Sequence, residues 1–217
     1  MGAGPHRLLG SPMVQVLESA WQEIRGRHAE VPDAVIVIGA GSAGRQAGVK
    51  LGHFASLRWQ QGDMTLPEVF VAGEGLQRGP VAVLGTLLHE AAHSLAEVRG
   101  VVDTSRGGRY HNRRFAALGR ELGLDITVDG GLGWSATSVP QSTAVAYGDL
   151  VDQLGQTLTT HRRPEFLGLR GGRTNSNNPL ACSCRCPRRI RVAPEVLAAG
   201  PIVCSVCAGA FVQEQPS

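Results

Sequence analysis

Apolar positions from Met13 to His28 fall at Val14, Leu17, Trp21 and Ile24. Steps of three and four residues of this kind predict an amphipathic helix. After Pro32 the pattern changes to the continuous β-branched run Ala34–Ile38, which ends in glycines and predicts a buried strand. Leu51–Trp59 and Glu68–Ala72 are two further strand candidates. Leu84–Val98 returns to helical spacing, with Leu84, Leu88, Ala91, Leu95 and Val98 on one face and Gly100 as the stop. A polar, glycine-containing loop follows, and a helix is expected from His111 to Gly123 through Phe115, Leu118 and Leu122. Ile126–Val128 and Trp134–Val139 look like strand pieces around Gly130-Gly131, and Ser142–Thr160 like a last helix. Mixed elements in this order predict an α+β fold.

From Arg162 to Pro179 apolar residues become scarce and Gly-Gly, Asn-Asn and Pro appear, the composition of a linker. The expected organisation is a main domain over 13–160, a basic linker over 161–179 and a small C-terminal domain over 180–213. With 217 residues, one good core and a small appendage can be buried. No stretch reaches the roughly eighteen consecutive apolar residues of a membrane span. The N-terminal residues lack the apolar core of a signal peptide, so a cytoplasmic protein is expected. The net charge is +3, with arginines concentrated between His161 and Arg191 against the single acid Glu165. A basic segment of this kind is suited to weak DNA contact through Arg185, Arg188, Arg189 and Arg191, or to a solvated surface.

His89-Glu90-Ala91-Ala92-His93 is an HExxH motif inside the expected central helix. Residues four apart share a helix face, so two imidazoles can grip one ion. Zinc lowers the pKa of its water towards neutrality, and Glu90 is placed to take the proton and deliver hydroxide to a carbonyl. A third ligand is needed. Glycine and histidine three and six residues after His93 would give the metzincin pattern, but Ala96 and Arg99 stand there. Glu121, with Asp125 four residues on, has the form of a thermolysin-like third ligand. His111 is favoured, because Phe115 four residues later can anchor its helix in the core while the histidine turns to the metal.

All five cysteines fall in the last 36 residues, a cluster that in a reducing compartment reads as a metal site rather than a disulfide framework. Cys204-Ser205-Val206-Cys207 is a CxxC knuckle suited to two tetrahedral zinc ligands. The other half offers Cys182, Cys184 and Cys186, one thiol more than four-coordination needs. Cys182 with Cys184 and Cys182 with Cys186 are the competing pairs. Full thiolate coordination leaves no open position, so this zinc would be structural and the histidine-held one catalytic.

One further pattern competes. Val35–Ile38 followed by Gly39-Ala40-Gly41-Ser42-Ala43-Gly44 reads like a dinucleotide-binding fingerprint for FAD or NAD. That site also needs a helix after the glycines and a strand ending in an acid. Gly48, Gly52 and the strand-like Phe54–Trp59 leave no room for the helix, and Asp63 sits at no clear strand end. A glycine-rich turn between strands fits better.

An N-terminal helix, three short strands, an HExxH helix, then a histidine followed four residues later by phenylalanine resembles the SprT-like zinc metallopeptidases. The compact actinobacterial and phage-borne members with a C-terminal zinc ribbon are the most similar, over roughly Met13 to Phe211. The resemblance implies a zincin-like domain with His89, His93 and His111 on a catalytic zinc and Glu90 as base. Its ribbons open with a CxC pair before a proline- and arginine-containing segment. That implies Cys182, Cys184, Cys204 and Cys207 as ligands of a structural zinc, with Cys186 spare. It also implies a protein or peptide substrate, DNA-associated proteins among them. The rival from another class is a non-catalytic nucleic-acid-binding module on a zincin scaffold.

Overall fold

The computed structural model describes residues 8–41, 50–163 and 179–214. The chain divides into two compact units, Met1–Pro164 and Glu165–Ser217. The fold is α+β.

In the first unit, helix α1 (Gly10–Arg27) buries Val16, Leu17, Ala20, Trp21 and Ile24. Strands β1 (Val35–Gly39), β2 (Gly52–Gln61) and β3 (Met64–Ala72) form a sheet of order β1-β3-β2. β1 runs parallel to β3, and β2 antiparallel to it. β3 starts four residues earlier than its apolar run suggests, because the Gly62 turn (φ 60°) returns the chain as a hairpin. Pro67 cannot donate to the ladder, and opposite it the pairing slips between Ala55 and Trp59. Leu57 in that bulge takes a positive φ of 52°.

A short 3-10 turn, Gly73–Arg78, leads into α2 (Pro80–Val98). Proline in the first turn costs no helical hydrogen bond there. The helix stops where Gly100 adopts φ 62°. The N–H groups of Gly100 and Val101 then close on the carbonyls of Glu97 (3.1 Å) and Ala96 (2.8 Å). Ten of the nineteen α2 residues are buried, which makes it the central element of the core.

A second sheet, β4-β5-β7-β6, is built from β4 (Thr104–Ser105), β5 (Tyr110–His111), β6 (Asp125–Asp129) and β7 (Gly133–Ser138). Helix α3 (Arg113–Glu121) begins after His111, not at it. The Asn112 side chain accepts hydrogen bonds from the N–H groups of Arg114 (2.8 Å) and Phe115 (3.3 Å), capping the helix. The expected last helix is two, α4 (Gln141–Ala146) and α5 (Gly148–Thr157), parted at Tyr147.

In the second unit, β8 (Leu180–Ser183), β9 (Arg189–Val192) and β10 (Val212–Gln213) form a sheet of order β10-β8-β9. The short helix α6 (Pro194–Ala198) and a Val203–Ala210 bridge complete it. Its small core joins Cys182, Val192, Cys204 and Phe211. Among the described residues, no helix is long and apolar enough to cross a membrane.

Candidate metal centres

His89 and His93 stand one turn apart on α2, and strand β5 carries His111 to them. Their ligand atoms all lie within 4.8 Å of one another, so the three imidazoles could hold a metal ion. The Nε2 atoms of His93 and His111 meet at 3.2 Å. Phe115, fully buried, supports the group from below, with its ring centroid 4.7, 4.7 and 4.5 Å from those of His89, His93 and His111. The phenylalanine therefore anchors all three rings, although His111 is not part of its helix. His111 is fixed instead by its own N–H, which donates to the Leu132 carbonyl at 2.9 Å. Gly133, its partner in β7, has φ 75°, and a Cβ there would lie 2.2 Å from the His111 carbonyl oxygen. Only glycine lets the two strands approach this closely.

The donor set suits a cation. Burial, then the neighbouring imidazoles, holds His89 well below the usual histidine range, and burial brings His111 down to about 4. Both rings are therefore neutral near pH 7, with lone pairs free for coordination. The His111 Nδ1 is buried without a hydrogen-bond partner. The outer nitrogen of His93 is held: its Nδ1 lies 2.5 Å from Asp103 Oδ2. A carboxylate in this position fixes the tautomer and orientation of a ligating ring. His89 Nδ1 meets Thr137 Oγ1 of β7 at 3.4 Å. Asp103 and Thr137 were not foreseen, since neither lies in a motif; a carboxylate ten residues beyond His93, in a polar loop, was the only available signal.

Glu90 opens onto the same cleft, a cavity of about 1250 Å³ that also takes in His89, His93 and His111. It is only 4 % exposed. Burial pushes its carboxyl up to about 7, against the opposing pull of His93 and Lys50 and a hydrogen bond from the Phe54 N–H. β2 comes close enough for this because residue 52 is glycine. A Cβ there would sit 2.7 Å from Glu90 Oε1 and 2.8 Å from the Thr86 methyl.

Glu121, the alternative third ligand, is elsewhere: its carboxylate is 2.7 Å from Arg99, which also pairs with Glu30. His53 stacks on Phe70 and pairs with Glu68 at 3.3 Å rather than joining the triad. Tyr110 and Trp134 lie under Arg106 and Arg120, and Tyr147 under Arg27. In the glycine-rich segment, the Gly41 N–H donates to the buried Glu74 at 2.9 Å. Gly44 lies outside the described residues. The strand that follows, β2, is antiparallel in the sheet and not adjacent to β1, unlike the parallel neighbour a dinucleotide site requires.

In the second unit the thiols of Cys184, Cys186, Cys204 and Cys207 lie within 4.8 Å of one another and could hold a metal ion. Cys182, preferred to Cys186 on the sequence, is not in this group. Cys182 lies in the middle strand of its sheet, paired to Ile190 and Gln213, with no exposure to solvent. Cys184 and Cys186 follow the end of β8, where the chain is free to turn its thiols to the knuckle. Cys186 Sγ is 3.4 Å from Cys184 Sγ and 3.7 Å from Cys204 Sγ. The N–H groups of Cys207 and Val206 bring the Cys204 thiol down to about 6. Thiols of Cys184, Cys207 and Cys204, together with burial, push Cys186 up to about 12. Crowded sulfurs without a cation must share protons, which is the state a bound cation relieves.

Three of the four arginines expected to meet phosphate have local partners. Arg188 donates to Cys204 Sγ (3.7 Å), Arg185 to the Cys207 carbonyl (3.2 Å), and Arg189 pairs with Glu214. Comparison with known proteins finds no family model, curated protein or solved structure that matches the chain.

Proposed function

We propose that the first unit is a zinc-dependent metallopeptidase domain of SprT-like, zincin type, and that the second is a zinc ribbon closed by Cys184, Cys186, Cys204 and Cys207. The observation that carries the reading is a buried carboxyl, Glu90, opening onto the same cleft as three convergent imidazoles. His89, His93 and His111 would hold a zinc ion, which would supply Lewis acidity there.

The rest of the chemistry belongs to the chain. Glu90, buried beside the three imidazoles and lining the same cleft, is placed to accept a proton from the attacking water and return it to the departing amine nitrogen. Asp103 holds His93 in one orientation through Nδ1, and Phe115 keeps all three rings from turning. The cleft is open enough for an extended polypeptide, which favours a peptide over a small enclosed substrate. Arg185, Arg188 and Arg189 each have a partner inside their own unit, and the proposal does not rest on nucleic acid.

The test is Glu90→Gln, assayed for proteolysis of unfolded protein with zinc measured on the same samples. Turnover should fall at least about a hundredfold while zinc is retained, since general-base catalysis contributes ~10²–10⁴-fold. Unchanged turnover overturns the mechanism.

A further inference from the structure

Three cations line the cleft without an ion-pair partner among the described residues. Lys50 and Arg58 flank and occupy β2, and Arg78 closes the 3-10 turn that feeds α2; all three line the cleft and are exposed. None has an ion-pair or hydrogen-bond partner among the described residues. Elsewhere in this unit Arg25, Arg27 and Arg99 each hold a carboxylate. The N-terminus of α2 adds to the same sign. It has no side-chain cap and no acid in its first turn, and Val81 and Ala82 of that turn line the cleft.

Lys50 is near enough for its charge to act on His89, Glu90 and His111. Arg78 is partly desolvated with nothing to compensate it, which lowers its pKa. The rest of the cleft is mixed. There Asp103 is committed to His93, Asp129 to the Gly131 N–H and Arg109 to the Arg106 carbonyl, while the exposed Glu97 also lines the cleft.

We propose that Lys50, Arg58 and Arg78 select the substrate, and that the cleft takes polypeptide segments rich in Asp and Glu. This deepens the peptidase reading and rests on it for the word substrate. An acidic segment laid along β2 would supply the carboxylates these three side chains lack. Like charges would be turned away by the same residues, so the preference comes from repulsion as well as attraction. The contacts are solvent-exposed, so the preference should weaken as salt rises.

The experiment separates binding from cleavage. Two labelled unstructured peptides of equal length, one acidic and one basic, are titrated into the zinc-loaded Glu90→Gln protein by fluorescence anisotropy at low and high salt. The acidic peptide should bind about tenfold or more tightly at low salt, given modest gains from each of three exposed charges. The advantage should shrink with salt and reverse in the Lys50→Glu, Arg58→Glu, Arg78→Glu protein. Zinc content and circular dichroism check that this variant is folded, and Arg58→Gln alone should give an intermediate preference. Equal binding of both peptides overturns the proposal. A single-stranded oligonucleotide binding more tightly than the acidic peptide overturns it too, by assigning these residues to phosphate. If wild-type protein cleaves neither peptide but the acidic one still binds in this manner, the charge selection stands and the peptidase reading falls.

Discussion

The two candidate metal centres differ in what surrounds the donors. In the second unit four thiols close on one another, held by backbone N–H groups and by Arg188, with no carboxylate in the group among the described residues. In the first unit three imidazoles converge, line an open cleft, and have the buried Glu90 beside them. Four sulfur donors satisfy a tetrahedral ion and leave it nothing to do but hold the chain together, whereas three nitrogens leave a place for reaction. On the proposed reading, donor count and the neighbouring acid separate a structural site from a reactive one, more than the identity of the ion does.

The comparison can be broken most directly by removing donors. His93→Ala should empty the first unit alone and Cys186→Ser the second alone, each lowering the metal content from two ions per chain to one. Cys182→Ala should keep both ions and cost only packing, because its sulfur is buried in the sheet rather than turned to the knuckle. Metal analysis showing loss of an ion in Cys182→Ala, and none in Cys186→Ser, would reverse the assignment.

Glu90 gives the next largest effect, and only the first unit should show it. Its folded-state carboxyl is near 7, above the ordinary 4.5, so the folded protein holds a proton there that the unfolded chain releases. The stability this contributes is present below about pH 4.5 and is lost as pH rises through 7. In metal-free protein, Glu90→Gln should therefore be more stable than wild type at pH 8, by on the order of 3 kcal/mol, with no advantage near pH 4. Denaturant titrations of both proteins at the two pH values check the sign.

Asp103→Asn keeps the size of the side chain but removes the charge behind His93. Metal affinity of the first unit should fall by about 10–100-fold in chelator competition, with the cysteine-held ion unaffected. Smallest of all, Asn112→Ala should cost about 1 kcal/mol by uncapping α3, read as a shift in the unfolding midpoint of the first unit. An unchanged midpoint would mean that β5, and not the cap, sets the start of that helix.

Local periodicity made part of this molecule legible. The buried face of α1, the HExxH turn of α2 and the Cys204–Cys207 knuckle each depend on residues within a few positions of one another, and spacing alone describes them. The hairpin joining β2 to β3 was half legible: the apolar end of β3 stood out, and the polar stretch Met64–Pro67 did not. His111 was singled out for a reason that does not hold, since it was expected at the head of a helix and lies in a strand.

By itself, then, the sequence determined that His89, Glu90 and His93 share one helical turn and that thiols gather at the C-terminal end. Tertiary structure decided what completes each group. A two-residue strand has no periodicity to read, so the placement of His111 depended on its pairing with Gly133, and that of Asp103 on the path of the loop before it. Gly52 matters only because β2 passes over Glu90. That Cys186 and not Cys182 converges with the knuckle follows from the end of β8: inside the sheet a thiol is fixed in the core, and beyond it the chain can bend the next sulfurs towards Cys204 and Cys207.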